Sequence, residues 1–347
     1  MKLASNRFAF LVSVLKAREA KEVESEMLEE ILLRAASMPE AVEFMKGTDL
    51  GDYLAELGAM KFADIDEQLW KYLNDYFNRI RKLRPHPSVV RLIEHYLHKY
   101  DVANIISALR AAASQRPPHM IPVGTLRDQG LLDELSRVQT FSDIAAILVT
   151  GGMADYAQPI RMITDNDRRA VRHAERLLDR LYLQRLGNVL KGMDDSGVLL
   201  AAHGILLDHL CLGRIIRMVA AGRPGTTEGG SIASGGYLLP TAVCRELAAL
   251  KIPEIASRLE DTSYRAMVED IGREIEHQGA YTIDLVMESE RIRRARELLS
   301  PRSLSPCAVL WHLLFKEVEL RNVRLAMKAV EDRLPPAEVK DYLAVGL

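Results

Sequence analysis

An acid and an amide three residues apart occur twice in this 347-residue chain, as Asp101 with Asn104 and as Glu319 with Asn322. That spacing puts both side chains on one face of a helix. Two carboxylates sharing catalytic work would have to be brought together with their pKa values shifted, and nothing around either pair points to that. The expected role is a buried or half-buried polar contact that fixes how repeat helices dock. His95 and His98 share the three-residue spacing that zinc ligands can use, but no HExxH pattern surrounds them, so a solvated or interface pair is the plainer reading. The Gly/Ser-rich stretch 222–236 could fold Gly225, Gly229, Gly230, Gly235 and Gly236 into an anion nest. It lacks a following Lys-bearing helix start, which leaves a flexible linker or a partner-binding loop. No G-x-x-x-x-G-K-[ST] string exists, so ATP hydrolysis by this chain is not expected. Ser231 and Ser234 sit among glycines but outside a G-x-S-x-G elbow. No catalytic, metal or cofactor residue is expected.

Two basic strings remain, Arg79, Arg81 and Lys82 in the first and Arg291, Arg293 and Arg294 in the second. They are candidates for holding an acidic protein partner or lipid headgroups; the alternative is a solvated helix face carrying local ion pairs. A net charge of -2 and the lack of interleaved aromatics argue against nucleic acid as the partner.

The elements that must position these residues read as helices. Apolar residues recur at three and four, as in Leu69, Leu73, Phe77 and Ile80, and alternating β-branched runs are almost absent. An all-α fold is expected. The N-terminal apolar stretch is too short and too charged in its sequel for a signal or a span, and no run of about 18 uncharged apolar residues follows. Membrane contact would be peripheral or through a partner. Cys211, Cys244 and Cys307 lie far apart and read as reduced, buried thiols.

Similar phrases return after a little over one hundred residues. Residues 31–53 are answered by 133–156 and 244–264, with Tyr53, Tyr156 and Tyr264 closing each. Residues 72–83 match 182–193 and, less fully, 288–299, which places both basic strings at one repeat position. Residues 100–117 match 318–335 at an offset of 218, pairing Asp101 with Glu319, Asn104 with Asn322 and Arg110 with Lys328. Half that offset points to 207–224, where the acid and the Asn read as eroded. The expected organisation is an N-terminal helix over 1–24 and helical repeats over 25–125, 126–238 and 239–347.

Residues 316–343, with the run Lys-Glu-x-Glu-x-Arg-Asn-x-Arg, resemble the C-terminal signature of the C/d subunit family of A-type and V-type ATPases. Residues 99–126 are similar to that family's internal segment with its later Gly-Thr-Leu, residues 7–19 to its opening helix and residues 235–240 to the turn before its third repeat. Gly213 and Arg214 depart from the family's Asn and Leu, so contacts carried over to the middle repeat are the least secure. The resemblance implies three pseudo-symmetric helical repeats forming a funnel-like assembly. It implies a non-catalytic central-rotor connector on the cytoplasmic face of a membrane, with the central rotor shaft subunits and the membrane proteolipid ring as partners. A free helical scaffold that binds a partner helix or peptide is the competing reading, and an enzyme for a small phosphorylated ligand is a third.

Overall fold

The computed structural model describes residues 6–19, 21–55, 61–163, 168–223, 236–280 and 282–343. Every regular element among them is helical, as the three-and-four spacing predicts. After α1 (Asn6–Glu19), short helices lead into two long ones three times over. The first set is α2 (Ser25–Arg34), α3 (Met38–Phe44) and α4 (Gly51–Leu54), then α5 (Phe62–Lys82) and α6 (Pro87–Ser114). A single turn, α7 (Thr125–Asp128), opens the second set of α8 (Leu132–Arg137), α9 (Phe141–Thr150) and α10 (Ala154–Arg161), followed by α11 (Arg168–Lys191) and α12 (Ser196–Ala220). The third is α13 (Thr241–Leu247), α14 (Ile252–Arg258) and α15 (Arg265–Gln278), then α16 (Thr282–Leu299) and α17 (Pro306–Asp332), before α18 (Pro336–Lys340).

Helix boundaries follow from local chemistry. α6 and α17 both begin with Pro, whose missing N–H is harmless in the first turn and whose fixed φ suits it. Both also end at a residue in the left-handed region, Gln115 and Arg333, each with φ 54°. The Ser305 hydroxyl accepts from Cys307 N at 3.1 Å and the Thr140 hydroxyl from Asp143 N at 3.2 Å, capping α17 and α9.

The long helices pair across the sets. α11 packs on α6, α16 on α12, and α5 on α17, so the first set leans on the last. One core cluster accordingly joins Leu28, Ile31, Leu73 and Phe77 to Leu313, Val323 and Met327. Burying a side chain of this size contributes about 1.5–3 kcal/mol, so each such pairing is secured by its apolar seam. A second cluster ties α6 to α9, α10 and α11, and a third ties α12 to α13 through α16. α12 is long and apolar enough to cross a membrane, but 67% of its apolar window is buried inside the fold. The three cysteines are buried and unbridged.

Candidate functional site

The long helices enclose a cavity of about 940 Å³. α6, α11, α12, α16 and α17 all contribute to its wall. Side chains of α11 reach it at Arg176, Arg180, Leu183, Leu186 and Leu190, the three-and-four spacing of one helical face. Its two ends differ. One is apolar, built from Leu186, Leu190, Leu310, Trp311 and Leu314, of which Leu186, Leu190 and Leu310 are at most 5% exposed. The other carries Arg110, Arg176, Arg180, Arg214, Arg217 and Arg321, and is more open to solvent: the side chains of Arg110 and Arg217 are 67% and 46% exposed.

Between the ends sits a polar knot. The Tyr96 and Tyr100 hydroxyls donate to Glu317 at 2.7 and 2.6 Å, and Lys99 pairs with the same carboxylate. Burial raises both phenols well above their ordinary range and lowers the Lys99 ammonium, which Glu317 partly restores. This is a rigid, fully occupied cluster and not a poised acid or base. Arg291 and Arg321 both reach Glu288, at 3.5 and 3.1 Å.

The acid–amide signature builds joints between the sets. Asp101, fully buried, accepts from Thr125 N and Leu126 N at 3.0 Å each, holding the start of the second set. Asn104 pairs with both backbone groups of Ile121 on the same connection, at 2.7 and 2.8 Å. Glu319 accepts from Val23 N at 2.7 Å, holding the start of the first set, and from Lys316 Nζ at 2.8 Å; that ammonium also reaches Glu22 at 3.1 Å. Asn322 is likewise buried, one turn along α17.

The middle acid is not eroded, contrary to the sequence reading. Asp208 is fully buried and accepts from Leu238 N and Leu239 N at 2.7 and 3.1 Å and from the Tyr264 hydroxyl at 2.8 Å, holding the start of the third set. It lies two residues before the position that half the offset of 218 selects, which is Leu210, and Cys211 stands where the amide would be. Burial pushes the carboxyl of Asp208 up and raises that of Asp101 to about 6, while the backbone N–H groups pull both back.

The two basic strings are not gathered. Arg79, Arg81 and Lys82 line a concavity of about 570 Å³ on α5, separate from the cavity that Arg291 faces. Arg79 donates to the Tyr53 hydroxyl at 2.7 Å, and Arg81 donates to Asn78 and to Asp128 Oδ2, the latter at 2.5 Å. Arg293 and Arg294 bond Glu290 at 2.7 and 2.8 Å on their own helix, the local pairing that was the alternative for this string. The cavity residues of α11 and α12 escaped the sequence reading, because facing a shared void is a tertiary property that no short motif records.

The His95 and His98 rings lie with centroids 5.2 Å apart, tilted by 45°; burial and the neighbouring charges of His95 and Arg185 lower His98 to about 4. Among the described residues no group of three or more His, Cys, Asp or Glu is placed to hold a metal ion. The anion-nest glycines Gly225, Gly229, Gly230 and Gly235, with Ser231 and Ser234, lie outside the described residues.

Fold and site together define a class: an all-helical protein whose long helices wall an internal, partly charged cavity. The family model for the ATP synthase (C/AC39) subunit matches residues 11–342, and the chain belongs to that family. Its relatives include the C subunit of the A-type ATP synthase of Pyrococcus abyssi, 22% identical with 95% of this chain and 88% of the relative covered. The corresponding A-type ATP synthase C subunit of Methanocaldococcus jannaschii is 23% identical over 97% of this chain and 86% of its own. That of Thermococcus onnurineus is 24% identical over 95% and 88%.

Proposed function

We propose that this protein is the non-catalytic rotor connector of a rotary A-type or V-type ATPase, a socket that passes torque between the central shaft and the membrane proteolipid ring. The observation that carries the reading is the 940 Å³ cavity walled by long helices drawn from all three parts of the chain. A torque-bearing part has to be stiff, and packed helices are stiff because close-packed interiors transmit strain. In this reading the three helix sets are pseudo-symmetric repeats about the cavity axis, the cavity receives the end of the shaft, and the protein sits peripherally on the cytoplasmic face through the ring. The concavity around Arg79, Arg81 and Lys82 is a further partner surface in the same scheme.

Ala103 is exposed and lines the cavity on α6, so a Trp there projects into the void without displacing the core. Ala103→Trp is expected to leave the fold intact and to abolish co-purification with the shaft from solubilised membranes. Retention of the shaft by the plugged variant would defeat the socket reading. Wild-type chain recovered from the same membranes without a proteolipid ring would instead favour the free scaffold.

A further inference from the structure

The joint that opens the third set differs from the other two at one side chain. Asn104 stands three residues after Asp101 and Asn322 three after Glu319, whereas Cys211 stands three after Asp208. Asn104 ties its joint by pairing with both backbone groups of Ile121, which a thiol, a weak donor and weak acceptor, cannot imitate. What Cys211 meets instead is a second thiol. Its S–H donates to the sulfur of Cys244 on α13, and Cys244 in turn donates to Leu239 O at 3.7 Å. Leu239 N is one of the two groups that Asp208 holds, so the sulfur pair sits on the joint itself. The plain alternative is two small core residues, which accounts for their burial, at 3% and 6% exposure, but not for sulfur against sulfur. A buried side chain touches about 6–12 others, so scatter alone rarely joins two of only three cysteines in 347 residues. Cys307 belongs to a different core cluster.

We propose that Cys211 and Cys244 are a redox modification site, which a hydroperoxide converts to a disulfide that locks the start of the third set onto α12. The hydrogen bond between the thiols favours the thiolate at Cys244 and holds the proton on Cys211. The Cys244 sulfur therefore attacks the peroxide O–O bond and keeps one oxygen as a sulfenic acid; the other oxygen takes up the proton that Cys244 gave up and leaves as water. Cys211 then attacks that sulfur and displaces its hydroxyl, which leaves with the Cys211 proton as a second water. Two electrons pass from the thiols to the peroxide, and a dithiol returns them. The cover over the pair is thin. α13 is only 7 residues long, and Tyr237, Leu238 and Pro240 just before it are exposed, so local opening admits an oxidant this small. The bridge closes residues 211–244 into a loop, which restricts the unfolded chain.

The test treats the folded full chain with hydrogen peroxide and then titrates thiols in denaturant. Free thiols are expected to fall from three to one, with the mass lower by about 2 Da and a peptide map joining Cys211 to Cys244. The thermal midpoint should rise by about 5 °C and return on treatment with dithiothreitol. Cys307→Ala should keep both effects, and Cys211→Ala and Cys244→Ala should each abolish them. Three free thiols after treatment, a bridge to Cys307, or a bridge that leaves the midpoint unmoved each overturns the inference.

Discussion

Asp101, Asp208 and Glu319 are chemically similar, but their surroundings give each a different sensitivity. Lys316 is fully buried between Glu22 and Glu319, so Lys316→Met strands two carboxylates in the interior. A loss of about 3–5 kcal/mol in urea unfolding is expected, with part of it recovered by adding Glu319→Gln. If the double variant is no more stable than the single, the buried-charge account is wrong. Asp101 invites a pH experiment. Its folded pKa of about 6 lies above the unfolded value, so the folded chain holds the proton more tightly and this group's contribution to stability falls as pH rises from about 4 to about 6. His98 and His312 act in the opposite sense: burial lowers them to about 4 and about 3, so their contribution is present above about 6.5 and is lost as pH falls. Subtracting the stability of Asp101→Asn from that of the wild type isolates the first effect. The difference should shrink by on the order of 2 kcal/mol from pH 4 to 6.5, and a flat difference would reject it. Asp101 and Glu319 were legible because their phrases match at one offset. Asp208 was not, because loops of different length shift the register by two residues, and burial, which identifies it, is invisible in a string.

Between elements, the joints show why the chain spends glycine where it does. Gly124 has φ +115°, and a Cβ there would lie 2.5 Å from Asp101 Oδ1; a Cβ at Gly236 would overlap Asp208 Oδ1 outright. Both aspartates are short, so the connecting backbone has to come close, and only glycine lets it. The third joint has no such glycine. Glu319 is one methylene longer and reaches Val23 N without it. Gly236→Ala should therefore destabilise by about 2 kcal/mol or more through clash and a disturbed carboxylate bond. Glu319→Asp should do the same by falling short, leaving Val23 N unpaired in the interior at about 1–3 kcal/mol. Thermal melts of both variants test the pair, and neutrality of either would sever the link between acid length and glycine. The helices themselves were legible from spacing and from breaks such as Pro85, Pro87 and Pro306, since local geometry decides them.

For the whole molecule, sequence repetition indicated which helices are alike but not what they surround. The shared repeat position of the two basic strings did not bring them together: α5 carries one beside its own concavity, and α16 turns only Arg291 of the other toward the cavity. A quadruple variant, Arg79→Gln, Arg81→Gln, Arg293→Gln and Arg294→Gln, is expected to fold, since exposed pairs of this kind contribute about 0.2–1 kcal/mol each. Salt-dependent weakening of ring or shaft binding would support a partner role, and unchanged binding across salt would leave these residues to their local pairs. The joint between Glu319 and Val23 carries a further consequence. The two residues lie 296 apart, so at about 5–20 residues per second the ribosome makes the second roughly 15–60 s after the first. Throughout that interval the apolar faces of α2 and α5 await α17, while α6 already has α9, α10 and α11 to cover it. Ribosome-bound chains stalled before Pro306 should thus be cut by protease within 25–82 and resist it within 141–191, and protection should spread to the early segment only once α17 has emerged.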